Sequence, residues 1–207
     1  MGKWLLLESS SKMVEVIPAI LTNSITELRD LVERCEGLVE RVQIDVIDGV
    51  FADNKTIYPD LLAHLETDLK LDYHLMVKEP INWVEKCVHG QADRIIGHIE
   101  HMSNQVEFVG KVQEAGVDVG LAIDIGTEAQ ALDQTILNDL DVVLVMGVPA
   151  GFGGQEFDRR AIEKIKELDT IRERDDTPFR ICVDGGVTME TVEELHRVGV
   201  NELSIGR

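Results

Sequence analysis

The chain has 207 residues, enough for one domain with a substantial core, and nothing in it demands a second. Hydrophobic residues make up 44% and charged residues 29%, the balance of an ordinary globular protein rather than a disordered one. With 20 Lys and Arg against 39 Asp and Glu the formal charge is −19, which argues against nucleic acid and anionic membrane as partners. A phosphorylated small molecule stays open, because backbone N–H groups hold phosphate without net positive charge. Cys35, Cys87 and Cys182 are odd in number and widely spaced, as expected of reduced residues in a cytoplasmic protein. No apolar run approaches the length of a membrane span.

From Val14 onward, short apolar runs alternate with amphipathic stretches. Strands are expected at 14–21, 42–46, 71–77, 94–98, 117–123, 142–146, 180–183 and 202–205. Between them, helical stretches are expected at 25–35, 59–65, 81–88, 105–115, within 128–140, at 159–168 and at 188–198. Ser24 is placed to cap the first helix, with Glu27 at the capping-box position. Eight strands separated by seven helical stretches, with no linker between them, predict a closed (β/α)₈ TIM barrel. An open doubly wound sheet is the alternative, but no G-x-G-x-x-G follows an early strand. The domain is expected over 14–207, with 1–13 as an N-terminal extension.

In such a barrel the functional side chains lie at the carboxyl ends of the strands. The polar exceptions to the apolar pattern fall there. Gln43 and Asp45 are two apart and project to one face of the second strand, while Val42, Ile44 and Val46 face the other way. Buried polar groups of this kind are costly without partners, so Asp45 either caps the following loop or serves an active site. His74 in the third strand and Asp184 after the seventh complete a candidate metal or acid–base group drawn from three strands. Two glycine loops, Gly151-Phe152-Gly153-Gly154-Gln155 and Gly185-Gly186, each follow a strand and lead into a helix. Successive N–H groups in such loops converge on an oxyanion, whereas as plain tight turns they need only positive φ.

Ile17-Pro18-Ala19-Ile20-Leu21, Gln43-Ile44-Asp45-Val46-Ile47-Asp48-Gly49, His74-Leu75-Met76, the Gly151–Gln155 loop and Val183-Asp184-Gly185-Gly186 resemble, in order and spacing, the ribulose-phosphate 3-epimerases. The resemblance implies a phosphate-binding barrel of the pentose phosphate pathway that inverts carbon 3 of D-ribulose 5-phosphate to give D-xylulose 5-phosphate. It implies Asp45 and Asp184 as the two proton-transfer groups and as ligands, with His74, of a divalent metal (Zn, Fe, Mn or Co). Gln43 would be a poorer fourth ligand, since the family usually has His there. Met76, Gly151, Phe152, Gly153, Gly154, Gly185, Gly186 and Gly206 would bind substrate and phosphate. The expected partner is a small phosphorylated sugar, and the expected assembly a homo-oligomer.

The chain departs from the family pattern at Gln43, at Ala19 in place of a Ser, at Ile47 in place of a Met, and at Arg207, where the family continues into a Gly-Ser loop and an eighth helix. Two other readings stand beside the epimerase: another phosphosugar barrel enzyme, such as a hexulose-phosphate synthase or decarboxylase relative, or, on the strength of Gln43, Ala19 and the end at Arg207, a catalytically weakened barrel that only binds a sugar phosphate. Ile47 stands where the synthase and decarboxylase barrels would be expected to have a lysine. Without the eighth helix, the outward side chains of Leu203 and Ile205, or their neighbours on the first strand, are expected to face water, and the apolar Trp4-Leu5-Leu6-Leu7 is a candidate to cover them.

Overall fold

The computed structural model describes residues 14–174 and 179–206. Eight parallel strands close into a barrel in sequence order: β1 (Glu15–Ile20), β2 (Arg41–Ile47), β3 (Lys70–Met76), β4 (Arg94–His98), β5 (Asp118–Ile123), β6 (Val142–Met146), β7 (Arg180–Asp184) and β8 (Glu202–Ile205), with β8 pairing back onto β1. The described helices are α1 (Ile25–Cys35), α2 (Val84–His89), α3 (Gln105–Glu114), α4 (Arg160–Arg172) and α5 (Met189–Arg197).

Of the seven expected helical stretches, five contain α-helix and two are 3₁₀ only. Pro59–Leu62 and Pro80–Trp83 are 3₁₀ turns, the second leading into α2. The expected helix within 128–140 is reduced to two 3₁₀ turns, Ala129–Ala131 and Leu137–Asp139. Asp133 explains the break: its carboxylate accepts from the N–H and the hydroxyl of Thr135, at 2.9 and 2.6 Å, a local turn that competes with helix. At α1, Ser24 caps the N–H of Glu27 as expected, but the Glu27 carboxylate bonds the Thr22 hydroxyl. That hydroxyl in turn accepts from the N–H of Ser24, so the reciprocal box is routed through Thr22.

Two apolar layers follow from the strand alternation. Val42, Ile44 and Val46 join Leu28, Val32, Val109, Ile165 and Leu195 in the layer between strands and helices. Ile96, Ala122, Leu144, Met146 and Cys182 form a smaller cluster of their own, filling the barrel. The floor of the barrel is ionic instead. Arg94, on β4, donates to Glu202 of β8 at 2.8 and 3.0 Å and to Asp72 of β3 at 2.6 Å, and Arg41 holds the other side of Asp72 at 2.9 Å. Leu203 is buried in the outer layer with Leu195 and Val200, so of the two expected alternatives β8 is not the strand left in water. Ile205 is half-buried, and it is the neighbouring β1 that is left open, with Val16, the pairing partner of Leu203, and Leu21 just after the strand both exposed. Trp4-Leu5-Leu6-Leu7 lies outside the described residues, as does the 1–13 extension to which it belongs. Among the described residues no helix is long and apolar enough to cross a membrane.

Candidate active site

The β2–β3 register sets Asp45 beside His74, so parity alone sends both side chains to the same side of the sheet. Gln43 precedes Asp45 by two residues on the same face, and Asp184 is the last residue of β7. Gln43 and Asp45 lie within β2, as their place in the expected strand implies. All four meet at one point inside the barrel mouth. His74 Nδ1 is 3.0 Å from Asp45 Oδ1 and 3.3 Å from Asp184 Oδ2. Gln43 Nε2 donates to Asp45 Oδ1 at 2.8 Å and to Asp184 Oδ2 at 2.6 Å, and lies 3.3 Å from His74 Nδ1.

The loop after β2 is capped by a different carboxylate. Asp48 Oδ1 accepts from the N–H groups of Val50 and Phe51, and its Oδ2 accepts from that of Lys78 in the next loop. These backbone donors outweigh burial and hold the Asp48 carboxyl below its usual range. Asp45 is thereby freed of the capping role. Its main chain is fixed from below by Thr56, whose hydroxyl donates to the Asp45 carbonyl at 2.7 Å and accepts from the N–H of Ile47.

Burial raises the Asp45 carboxyl above its ordinary value, with the nearby Asp184 charge adding to it and the hydrogen bonds from His74 and Gln43 opposing. For His74 burial works downward, but the bonds and charges of Asp184 and Asp45 prevail and lift it to about 9. In this state His74 is an imidazolium with two donors. Nδ1–H serves the carboxylates, and Nε2–H faces His98 Nε2 at 2.9 Å. His98 Nδ1 lies 2.9 Å from Glu100 Oε2, which assigns its proton to that side; Glu100 also accepts from the N–H of Asp124. Phe51 covers His98, ring centroids 4.8 Å apart.

One ligand atom each from Asp45, His74 and Asp184 lie within 4.8 Å of one another, all three residues buried, and this donor set is compatible with a divalent metal ion. Holding one requires His74 to give up its Nδ1 proton, leaving Nε2–H on the His98 side, the arrangement in which a second residue orients a ligating imidazole.

The group lies at the base of a cleft of about 790 Å³ lined also by Ala19, Met76, Met146, Gly151, Phe152, Gly153, Gly154, Gly185, Gly186, Ser204 and Gly206. Every substrate-binding residue expected from the sequence is therefore on its wall. The Gly185-Gly186 turn packs there against the segment that follows the other glycine loop. Gly186 has φ +69°, and a Cβ on it would stand 2.5 Å from the backbone nitrogen of Phe157. The loop after β2 reaches the first glycine loop, where Asn54 Nδ2 donates to the Gly151 carbonyl at 2.9 Å. Sequence reading missed His98 and Glu100, although a His-x-Glu at a strand end is a visible signal. It also missed Ser204, the β8 partner of Asp184, whose buried hydroxyl has no hydrogen-bond partner among the described residues.

A closed parallel barrel with paired carboxylates beside two glycine loops is the class that fold and site define. Residues 15–207 match the ribulose-phosphate 3 epimerase family, and the chain belongs to that family. It is 34% identical over 198 residues to the ribulose-phosphate 3-epimerase of Bacillus subtilis, covering 94% of this chain and 91% of that one. It is 34% identical over 203 residues to the chloroplastic ribulose-5-phosphate-3-epimerase of Arabidopsis thaliana, covering 95% and 72%. Among solved structures, the tryptophan synthase alpha-subunit of Pyrococcus furiosus superposes with a TM-score of 0.70 over 93% of this chain and 86% of that one. At 13% identity that likeness concerns the fold alone.

Proposed function

We propose that the protein inverts carbon 3 of D-ribulose 5-phosphate to D-xylulose 5-phosphate, with Asp45 and Asp184 exchanging the proton on the two faces of the sugar. The observation that carries this reading is the convergence of two carboxylates from β2 and β7 on one point beside the glycine loops. A proton next to a ketone is weakly acidic, so its removal needs a placed base and a stabiliser for the charge left on oxygen. Returning a proton to the other face needs a second acid, which one carboxylate cannot supply from its own side. Asp45, with its pKa raised by burial, is suited to hold a proton for that step, and His74 lends positive charge to whichever carboxylate is ionised. A divalent ion (Zn, Fe, Mn or Co) held by Asp45, His74 and Asp184 supplies a Lewis acid for the developing oxygen charge when bound. Met76 and Met146 give the reacting carbons an apolar wall.

The phosphate is assigned to the backbone of Gly153, Gly154, Gly185, Gly186 and Gly206, with Gly151 and Phe152 on the rim. The partner is thus a small phosphorylated sugar. The formal charge of −19 supports the exclusion of nucleic acid and membrane. Free Cys35, Cys87 and Cys182 support the cytoplasm. A barrel domain over 14–207 and a homo-oligomeric assembly are part of the same proposal.

Steady-state kinetics test the phosphate assignment. D-ribulose without its phosphate is expected to react at least about a thousandfold less efficiently in kcat/KM, because binding remote from the reacting centre pays for positioning. Gly186→Ala, which drives a methyl into Phe157, is expected to raise KM for the phosphorylated sugar at least about tenfold. Equal efficiency on the two sugars would remove the phosphate from the reading.

A further inference from the structure

We infer that Gln43 is a brace that takes the cation's place in the ion-free enzyme and competes with the cation for the same two carboxylates. The inference rests on the reading of Asp45, His74 and Asp184 as the cation site. Gln43 is 1% exposed, and its Nε2 bonds Asp45 Oδ1 and Asp184 Oδ2, at 2.8 and 2.6 Å. Chemistry fixes the amide's orientation. Turned over, it would set Oε1, an acceptor, against two carboxylate oxygens at these distances.

The two oxygens are also approached by His74 Nδ1, so the carboxyl groups from β2 and β7 are tied together by two side-chain nitrogens. This is the work a divalent ion would do, performed by N–H donors. A cation drawing on the same oxygens cannot share them with amide protons that point at the same place. Ion entry therefore costs both Gln43 hydrogen bonds. Two consequences follow. The carboxylates keep their spacing with no ion bound, and Gln43 lowers ion affinity instead of raising it.

This sets the brace apart from a ligand role by sign. After EDTA treatment, Mn²⁺ titration by calorimetry is expected to show Gln43→Ala binding at least about tenfold tighter than wild type, while its ion-free melting temperature falls. If Gln43 were a ligand, the same substitution would weaken Mn²⁺ binding. A second readout needs no variant protein to fold. In ¹⁵N-labelled ion-free wild type, the Gln43 side-chain amide is expected to exchange slowly with solvent, then to shift and exchange faster on saturation with Zn²⁺. Weaker or unchanged Mn²⁺ affinity in Gln43→Ala, absence of Mn²⁺ binding by both proteins, or an amide signal unmoved at saturating Zn²⁺ would each overturn the brace. None of these measurements contains sugar, so epimerase activity assayed on the same samples reports separately on the proposed function.

Discussion

Asp45→Asn and Asp184→Asn are each expected to lower the rate of epimerisation by at least about 10³-fold, the scale of a lost general acid or base. An amide neither takes nor gives the carbon 3 proton, and inversion fails if either face is unserved. The fold should survive both changes. In each variant the remaining carboxylate keeps its contacts with Gln43 and His74, and the mutual repulsion that helps raise Asp45 disappears. The surviving carboxylate should still exchange the carbon 3 proton of the one epimer whose face it meets. Rate measurements on the two purified variants, with circular dichroism as the control for folding, check this. Activity within a few-fold of wild type in either variant would end the two-base reading.

The largest expected loss of stability lies at the other end of the barrel. Arg94→Met leaves Asp72 and Glu202 facing each other across the floor, both buried. Burial already pushes the Asp72 carboxyl up, held back chiefly by Arg94 and then by Arg41. Removing one member of a buried ion cluster costs about 3–5 kcal/mol, because the charge left behind keeps its desolvation penalty. For a domain of this size that corresponds to a fall in Tm on the order of 10 °C. The partial cover that Arg41 gives Asp72 and Arg180 gives Glu202 argues for the lower end of the range. Adding Glu202→Gln to Arg94→Met should recover part of the loss, which a denaturation double-mutant cycle can read. Equal losses in the single and double variants would mean that the cluster is not what holds the floor.

Much of the site was legible because barrel strands are apolar almost throughout, so each polar residue on the inward face stands out. Gln43, Asp45, His74 and Asp184 are such exceptions, and the glycine loops mark where the chain must turn above them. Parity along one strand is visible in sequence; the stagger between strands is not. Nothing in the chain says that Gln43 and Asp184, 141 positions apart, reach one height in the barrel, or that Arg94, Asp72 and Glu202 share another. His98 looked like the end of an apolar run, and its place behind His74 follows only from the β3–β4 register. The failed helix within 128–140 has a local cause in Asp133 and Thr135, side chains that offer the backbone a different bond. Ser204 escaped notice because a lone Ser in a strand carries no signal until Asp184 is seen beside it.

The most direct test of two-base inversion follows the carbon 3 proton itself. Enzyme and D-ribulose 5-phosphate are mixed in D₂O, and the first product formed is analysed by NMR. The two-base account predicts that D-xylulose 5-phosphate appears with deuterium at carbon 3 from the earliest time, because the proton delivered to the second face comes from a carboxyl group already equilibrated with solvent. Product carrying the original hydrogen at carbon 3 would contradict it.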